Sequence, residues 1–155
     1  MKKLILSLII ALTAGVAAHA QSNNKGEQQA KCQESKENVT VVKIEDNNIF
    51  SQCFKDIDTN GDGIVDCCEA KEATFLSLER GGRSNVIDNY DFLKYFPNLT
   101  AFGVGNTPLE EIDLHNLKKL EKLHVGNAAW LKKVILAEGC MVEITGKDEV
   151  KVEYR

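Results

Sequence analysis

The sequence predicts an α+β repeat protein, with a helix–loop–helix cap over residues 44–74 ahead of a short parallel-stranded solenoid of about three coils over 75–155. Two observations carry that expectation. The first is an internal period. "LTAFGV" (Leu99 to Val104), "LEEIDL" (Leu109 to Leu114), "LEKLHV" (Leu120 to Val125) and "LKKVIL" (Leu131 to Leu136) each read apolar-x-x-apolar-x-apolar, with starts 10, 11 and 11 residues apart. Gly105-Asn106 and Gly126-Asn127 punctuate the first and third copies 21 residues apart. The second is "DTNGDGIVDCCE" (Asp58 to Glu69), a run of carboxylates too crowded to be stable without something that offsets their repulsion.

Taken in chain order, Met1 to Ala20 reads as a cleaved export signal. Lys2 and Lys3 precede an apolar run from Leu4 to Ala18, and Ala18-His19-Ala20 has the small-x-small pattern of a cleavage site. The run is too short to favour a membrane span. The expected location is therefore secreted, periplasmic or cell-surface, with no membrane span in the mature chain. Gln21 to Asn38 lacks Val, Ile, Leu and aromatic residues, so it cannot bury enough surface to order itself. The flexible linker is placed over 21–43, although Val39 to Ile44 also suits a short strand.

Ile49, Phe50, Cys53, Phe54 and Ile57 form one helical face, with Asp46 or Asn47 as its cap. The acidic loop follows, and Glu69 to Ala73 supplies strong helix formers. Beyond residue 75, two strands and two turns per period would close one coil. Phe102, Val104, Ile112, Leu114, Leu123, Val125, Val134 and Leu136 would point inward, each contributing roughly 1.5–3 kcal/mol when buried. Gly103 and His124 would face out on one side, and Asp113 and Ile135 on the other. "FLSL", "VIDNYDFL", "MVEI" and "VKVEY" are weaker flanking copies. An amphipathic helix over residues 109–123 competes with this reading, because Leu109, Ile112, Leu117, Leu120 and Leu123 partly suit a 3.6 period.

The acidic stretch matches an EF-hand loop, D-x-[DN]-x-[DN]-G-x₅-E, at every specified place. Asp58, Asn60 and Asp62 stand at positions 1, 3 and 5, Gly63 at the sharp turn, Ile64 at the backbone-carbonyl position, Asp66 at 9 and Glu69 at 12. Oxygen-only donors in a cage of this size point to Ca²⁺ rather than zinc, copper or magnesium. A metal-free loop held by Asx turns is the competing reading. A single exported loop suits a structural role, with an affinity on the order of 10⁻⁴–10⁻³ M.

The charge balance excludes some partners. Lys and Arg number 19 against 23 acids, for a net charge of −4, and loss of Lys2 and Lys3 makes the chain more acidic still. Nucleic acid and anionic lipid both require basic patches. Cys32, Cys53, Cys67, Cys68 and Cys140 leave at least one thiol without an intrachain partner. Adjacent Cys67 and Cys68 fit one disulfide badly, so Cys53 is the nearby candidate to reach one of them; the connectivity stays open.

"FKDIDTNGDGIVDCCEA", followed by "YFPNLTAFGVGNTPLEEIDL" and "LKKLEKLHVGN", resembles exported bacterial leucine-rich-repeat proteins of the BspA-like type, over about residues 44 to 145. The resemblance implies a leucine-rich-repeat-like solenoid with an EF-hand-like loop in its N-terminal cap. It also implies a binding or adhesive role rather than catalysis, and Asp58, Asn60, Asp62, Ile64, Asp66 and Glu69 as metal ligands. The expected function is an exported calcium-binding module for a protein or surface polymer, with a structural assembly subunit as the alternative. A hydrolase is the weakest reading, since His115 and His124 lack a nucleophile in motif context. His124, Trp130 and Glu143 are the candidate partner contacts. His124 also suits a plain exposed strand position, and Trp130 a corner packed against the core.

Overall fold

The protein is described by a computed structural model, in which residues 39–126 and 128–155 are placed. The export signal, the linker up to residue 38 and Cys32 lie outside the described residues. Thr40–Lys43 is a strand, β1, so the linker expectation ran four residues too far. A one-turn helix, α1 (Ile49–Gln52), leads to the acidic loop, strand β2 (Ile64–Asp66) and helix α2 (Cys67–Glu72). Seven short strands follow: β3 (Phe75–Ser77), β4 (Ala101–Gly103), β5 (Glu111–Asp113), β6 (Lys122–His124), β7 (Lys133–Leu136), β8 (Glu143–Thr145) and β9 (Lys151–Tyr154). The fold is mixed α and β, with few helices and two parallel sheets.

Topology follows from the period. One sheet has the order β3-β4-β6-β8 and the other β5-β7-β9, and every pairing in both is parallel. Phe102 pairs with Leu123 and Leu123 with Ile144, so partners along β4-β6-β8 stand 21 residues apart, whereas Leu76 of β3 pairs with Phe102 across a longer connection. In the second, Ile112, Val134 and Val152 align. All eight residues expected to point inward are buried, and they join a single apolar cluster with Leu76, Leu78 and Phe96. The register sets Gly103 beside His124 and Asp113 beside Ile135 as expected, but Gly103 is buried beneath the Ser77 and Glu79 side chains.

The strands are shorter than the six residues of the sequence motif, because the leading Leu of three of the four copies closes a turn. Leu99, Leu120 and Leu131 are each buried at a corner, where their N–H groups donate to Phe96, Leu117 and Ala128. Leu117 N–H donates likewise to Leu114. Successive i→i+3 turns therefore space Leu114, Leu117 and Leu120 by three. That spacing imitates a helical face and accounts for the competing helix over 109–123, which the structure replaces with β5, turns and β6.

The helical stretch at 49–57 is also shorter than its apolar stripe suggests. Asn48, not Asp46 or Asn47, caps it by accepting from Ser51 N–H at 3.2 Å, and turns carry the chain from Cys53 to Ile57. Phe54 is nonetheless fully buried. Its ring lies 5.1, 5.6 and 6.0 Å from those of Phe50, Phe92 and Phe96, which ties α1 to the turns ahead of β4.

Cys68 is disulfide-bonded, but not to Cys53, which is a thiol. Cys53 Sγ accepts from Asn85 Nδ2 at 3.7 Å and donates to the Ile49 carbonyl at 3.5 Å. Burial raises its pKa, with Arg80 and Asn85 partly opposing. The expectation that Cys53 bridges to the Cys67–Cys68 pair is thereby corrected. Among the described residues, no helix is long and apolar enough to cross a membrane.

Leu123 is fully buried in a strand flanked on both sides. Leu123→Ala is expected to lower unfolding free energy by about 2–5 kcal/mol. Its exposed neighbour Lys122→Ala should change it by less than about 0.5 kcal/mol. Urea unfolding followed by circular dichroism measures both.

Candidate metal centre

The acidic loop is built from its backbone outward. Gly61 and Gly63 adopt φ of 75° and 80°, a region that disfavours other side chains, and so reverse the chain twice in three residues. That reversal turns the loop amides toward the carboxylates. Asp58 Oδ1 accepts from Gly61 N–H at 2.8 Å, and its Oδ2 from Gly63 N–H at 2.9 Å. Asn60 Oδ1 accepts from Asp62 N–H, and Asp62 Oδ1 from Ile64 N–H, both at 2.8 Å. Asp62 Oδ2 also accepts from Asn60 Nδ2 at 3.1 Å. Asp58, Asn60 and Asp62 are thus gathered in one compact loop.

The chain then enters β2, which pairs antiparallel with β1 through Val42 opposite Val65 and Lys43 opposite Ile64. Val65, at position 8 of the loop, is fully buried. A strand from the segment ahead of α1 therefore covers the edge of this single loop. Sequence reasoning placed the strand only as one option for Val39 to Ile44, because four residues of mixed polarity carry little signal of a partner.

Asp66 ends β2 and caps α2. Its Oδ1 accepts from Cys68 N–H at 2.8 Å and from Glu69 N–H at 2.9 Å, while Glu69 Oε2 accepts from Asp66 N–H at 3.3 Å. This is a capping box, with Glu69 at N3. The other oxygen, Glu69 Oε1, reaches the start of the loop. It accepts from Thr59 N–H at 2.8 Å, from the Thr59 hydroxyl at 3.0 Å and from Asn60 N–H at 3.2 Å. Glu69 is only 4% exposed. One carboxylate therefore joins the two ends of a twelve-residue loop, and backbone donors offset part of its charge.

The donor chemistry fits a hard divalent cation. All of the candidate donors are oxygens, and a carboxylate oxygen that accepts one N–H keeps a second lone pair. In the arrangement described here the carboxylates are turned onto loop amides. Among the described residues, no three His, Cys, Asp or Glu side chains converge closely enough to hold one ion. A cation would have to draw Glu69 Oε1 from the Thr59 and Asn60 amides, which makes Glu69 the residue where metal and backbone compete.

The partner-contact candidates divide between two places. His124 and Glu143 line one groove of about 320 Å³ on the outward face of the β3-β4-β6-β8 sheet, with Phe75, Ser77, Gly103 and Thr145. His124 Nδ1 lies 2.9 Å from Thr145 Oγ1, and its Nε2 lies 3.3 Å from Glu79 Oε1. Phe75 and Glu79 were not singled out from sequence; their signal is the outward alternation of "FLSLE" once its register is known. Trp130 does not line this groove. It is 65% exposed in the turn between β6 and β7, so the expectation of corner packing is corrected. Corner space there is filled by Ala128 and Leu131, both fully buried.

His115 stands apart from His124, after β5. Its ring Nδ1 lies 2.6 Å from Asp113 Oδ1, and Arg155 Nη2 is 2.6 Å from Asp113 Oδ2. Burial alone would raise the Asp113 pKa, but hydrogen bonds from His115 and the charges of His115 and Arg155 hold it below its usual value. A cleft of about 910 Å³ lies between α1 and the Asp91–Tyr95 turn and includes Phe50, Phe92, Tyr95 and Asn85. No periodicity or motif in the sequence marks it.

Comparison of the chain with protein-family models, with curated proteins and with solved structures finds no match.

Asp66 satisfies two amides of α2 with one oxygen. Asp66→Ala is expected to cost about 0.5–2 kcal/mol in urea unfolding measured in EDTA, where no cation contributes.

Proposed function

We propose that this chain is an exported calcium-binding module. Its parallel-stranded part is a short leucine-rich-repeat-like solenoid of the BspA-like type, and it presents a surface to another protein or to a surface polymer. The observation that carries the reading is the Asp58–Glu69 loop: an EF-hand pattern complete at its specified places, with Glu69 reaching from the first turn of α2 to the loop's opening residues. Asp58, Asn60, Asp62, the Ile64 carbonyl, Asp66 and Glu69 would hold the ion. Bound there, it would supply a divalent positive charge among clustered carboxylates.

The 21-residue spacing of Phe102, Leu123 and Ile144 supports the repeat reading, because like residues stack on like along the sheet. The loop-bearing segment meets the turns ahead of β4 through α2 and the Phe54 cluster. Whatever stabilises the loop would therefore stabilise the end of the stack. The His124–Glu143 groove favours a partner that meets the outward face of the first sheet.

Calcium at a hundredfold excess over Kd would add about 2.7 kcal/mol to stability by mass action. Thermal unfolding is expected to shift upward between EDTA and millimolar Ca²⁺. Glu69→Gln, which keeps an oxygen acceptor for the Thr59 and Asn60 amides, should remove most of that shift. An unchanged midpoint for the wild-type chain, with no heat in a calorimetric calcium titration, would overturn the reading.

A further inference from the structure

We propose that the outer edge of β9 is a self-pairing strand, through which two copies of this chain join in antiparallel fashion about a two-fold axis at Val152. Among the described residues, no strand pairs with the outer side of β9, which ends the β5-β7-β9 sheet. Its inward residues are incompletely covered. Val134 and Ile112 are buried, whereas Val150 and Val152 are only half-buried and Tyr154 is 56% exposed. An edge of this kind, apolar on one face and hydrogen-bonding along its side, is a template for another strand.

The backbone groups are correctly directed. Lys151 N–H donates to the Lys132 carbonyl at 2.8 Å and Arg155 N–H to the Leu136 carbonyl at 2.9 Å. The odd-numbered residues therefore turn their backbone groups toward β7. By strand alternation, Val150, Val152 and Tyr154 turn theirs outward. In an antiparallel pair centred on Val152, the two Val152 residues face each other and exchange N–H···O=C bonds. Val150 does the same with Tyr154 of the second copy.

The occupant is fixed by charge. The segment reads Glu149-Val150-Lys151-Val152-Glu153-Tyr154-Arg155, alternating acid, apolar, base, apolar, acid, apolar, base. Centred on Val152, Lys151 faces Glu153 of the second copy, and at the segment ends Glu149 faces Arg155. Every outward pair is of opposite sign, and the apolar residues meet on the inward face. A two-residue slip that centres the pair on Val150 leaves Tyr154 without its partner, and centring on Lys151 or Glu153 sets like charges opposite one another. Antiparallel self-pairing is thus specified in one register, as an isologous two-fold interface requires. No residue of the acidic loop takes part, so the proposal stands or falls independently of calcium.

Sedimentation velocity on the purified chain over a dilution series is the test. The wild-type chain is expected to dimerise. Lys151→Glu and Glu153→Lys each set like charges opposite one another twice across the axis, and each should weaken dimerisation by about tenfold or more. Mixed one to one, these two variants restore opposite-sign pairs and should form a heterodimer. Glu149→Lys, away from the Lys133–Glu153 contact, gives a second weakened variant should Glu153→Lys fail to fold by circular dichroism. A wild-type chain that stays monomeric, variants that dimerise as well as wild type, or folded variants that do not rescue each other would each overturn the proposal.

Discussion

Everything in this molecule depends on parallel register. In the first sheet Leu76, Phe102, Leu123 and Ile144 stand side by side, and in the second Ile112, Val134 and Val152 do. A shift of one residue in any strand would turn its buried set outward and its charged set inward. The chain absorbs unequal spacing in the turns rather than in the strands. The long excursion between β3 and β4 and the short return from β7 to β9 both end in unbroken register. Outward, the same alignment places Lys133 between Glu111 and Glu153, an exposed ladder of ion pairs that orders the surface more than it stabilises it.

The first and last strands of the parallel sheets have different surroundings among the described residues. On the N-terminal side, Phe50 and Phe54 pack against Phe92 and Phe54 also against Phe96, in the segment ahead of β4, and Phe54 is completely enclosed. The loop is held by a dense set of side-chain-to-backbone hydrogen bonds. Its carboxylates are acceptors that shape the turn, and on the proposed reading they would also hold a cation. Glu69 stands where those two uses conflict. At the other end, Ile144, Val150 and Val152 are left half-covered, and Met141 is 92% exposed. Apolar surface on a strand edge is the physical condition for association.

Much of this was legible in the sequence because it depends on local alternation. The inward positions, the strand locations and the loop's turn residues all follow from periods of two and from the places where only glycine fits. The competing reading and the misplaced bounds each have a physical cause. The apparent helix over 109–123 arose because consecutive i→i+3 turns space leucines by three, a period close enough to 3.6 to mislead. The helix at 49–57 was cut to one turn because Phe54 is positioned by the aromatic cluster rather than by helical continuation. The pairing of β1 with the loop was only partly legible, because a short strand declares itself through its partner.

The sequence by itself determined the inward positions of the strands, the glycine turns and which oxygens line the acidic loop, since each of these is set by neighbours within a few positions. Only the tertiary structure decided that His124 and Glu143 share a groove while Trp130 stands in solvent. It alone decided that Cys53 remains a packed thiol, and that Glu69 closes its loop onto backbone amides. Those outcomes depend on residues far apart in the chain, whose meeting is fixed by the parallel register and the aromatic contacts, not by any local pattern.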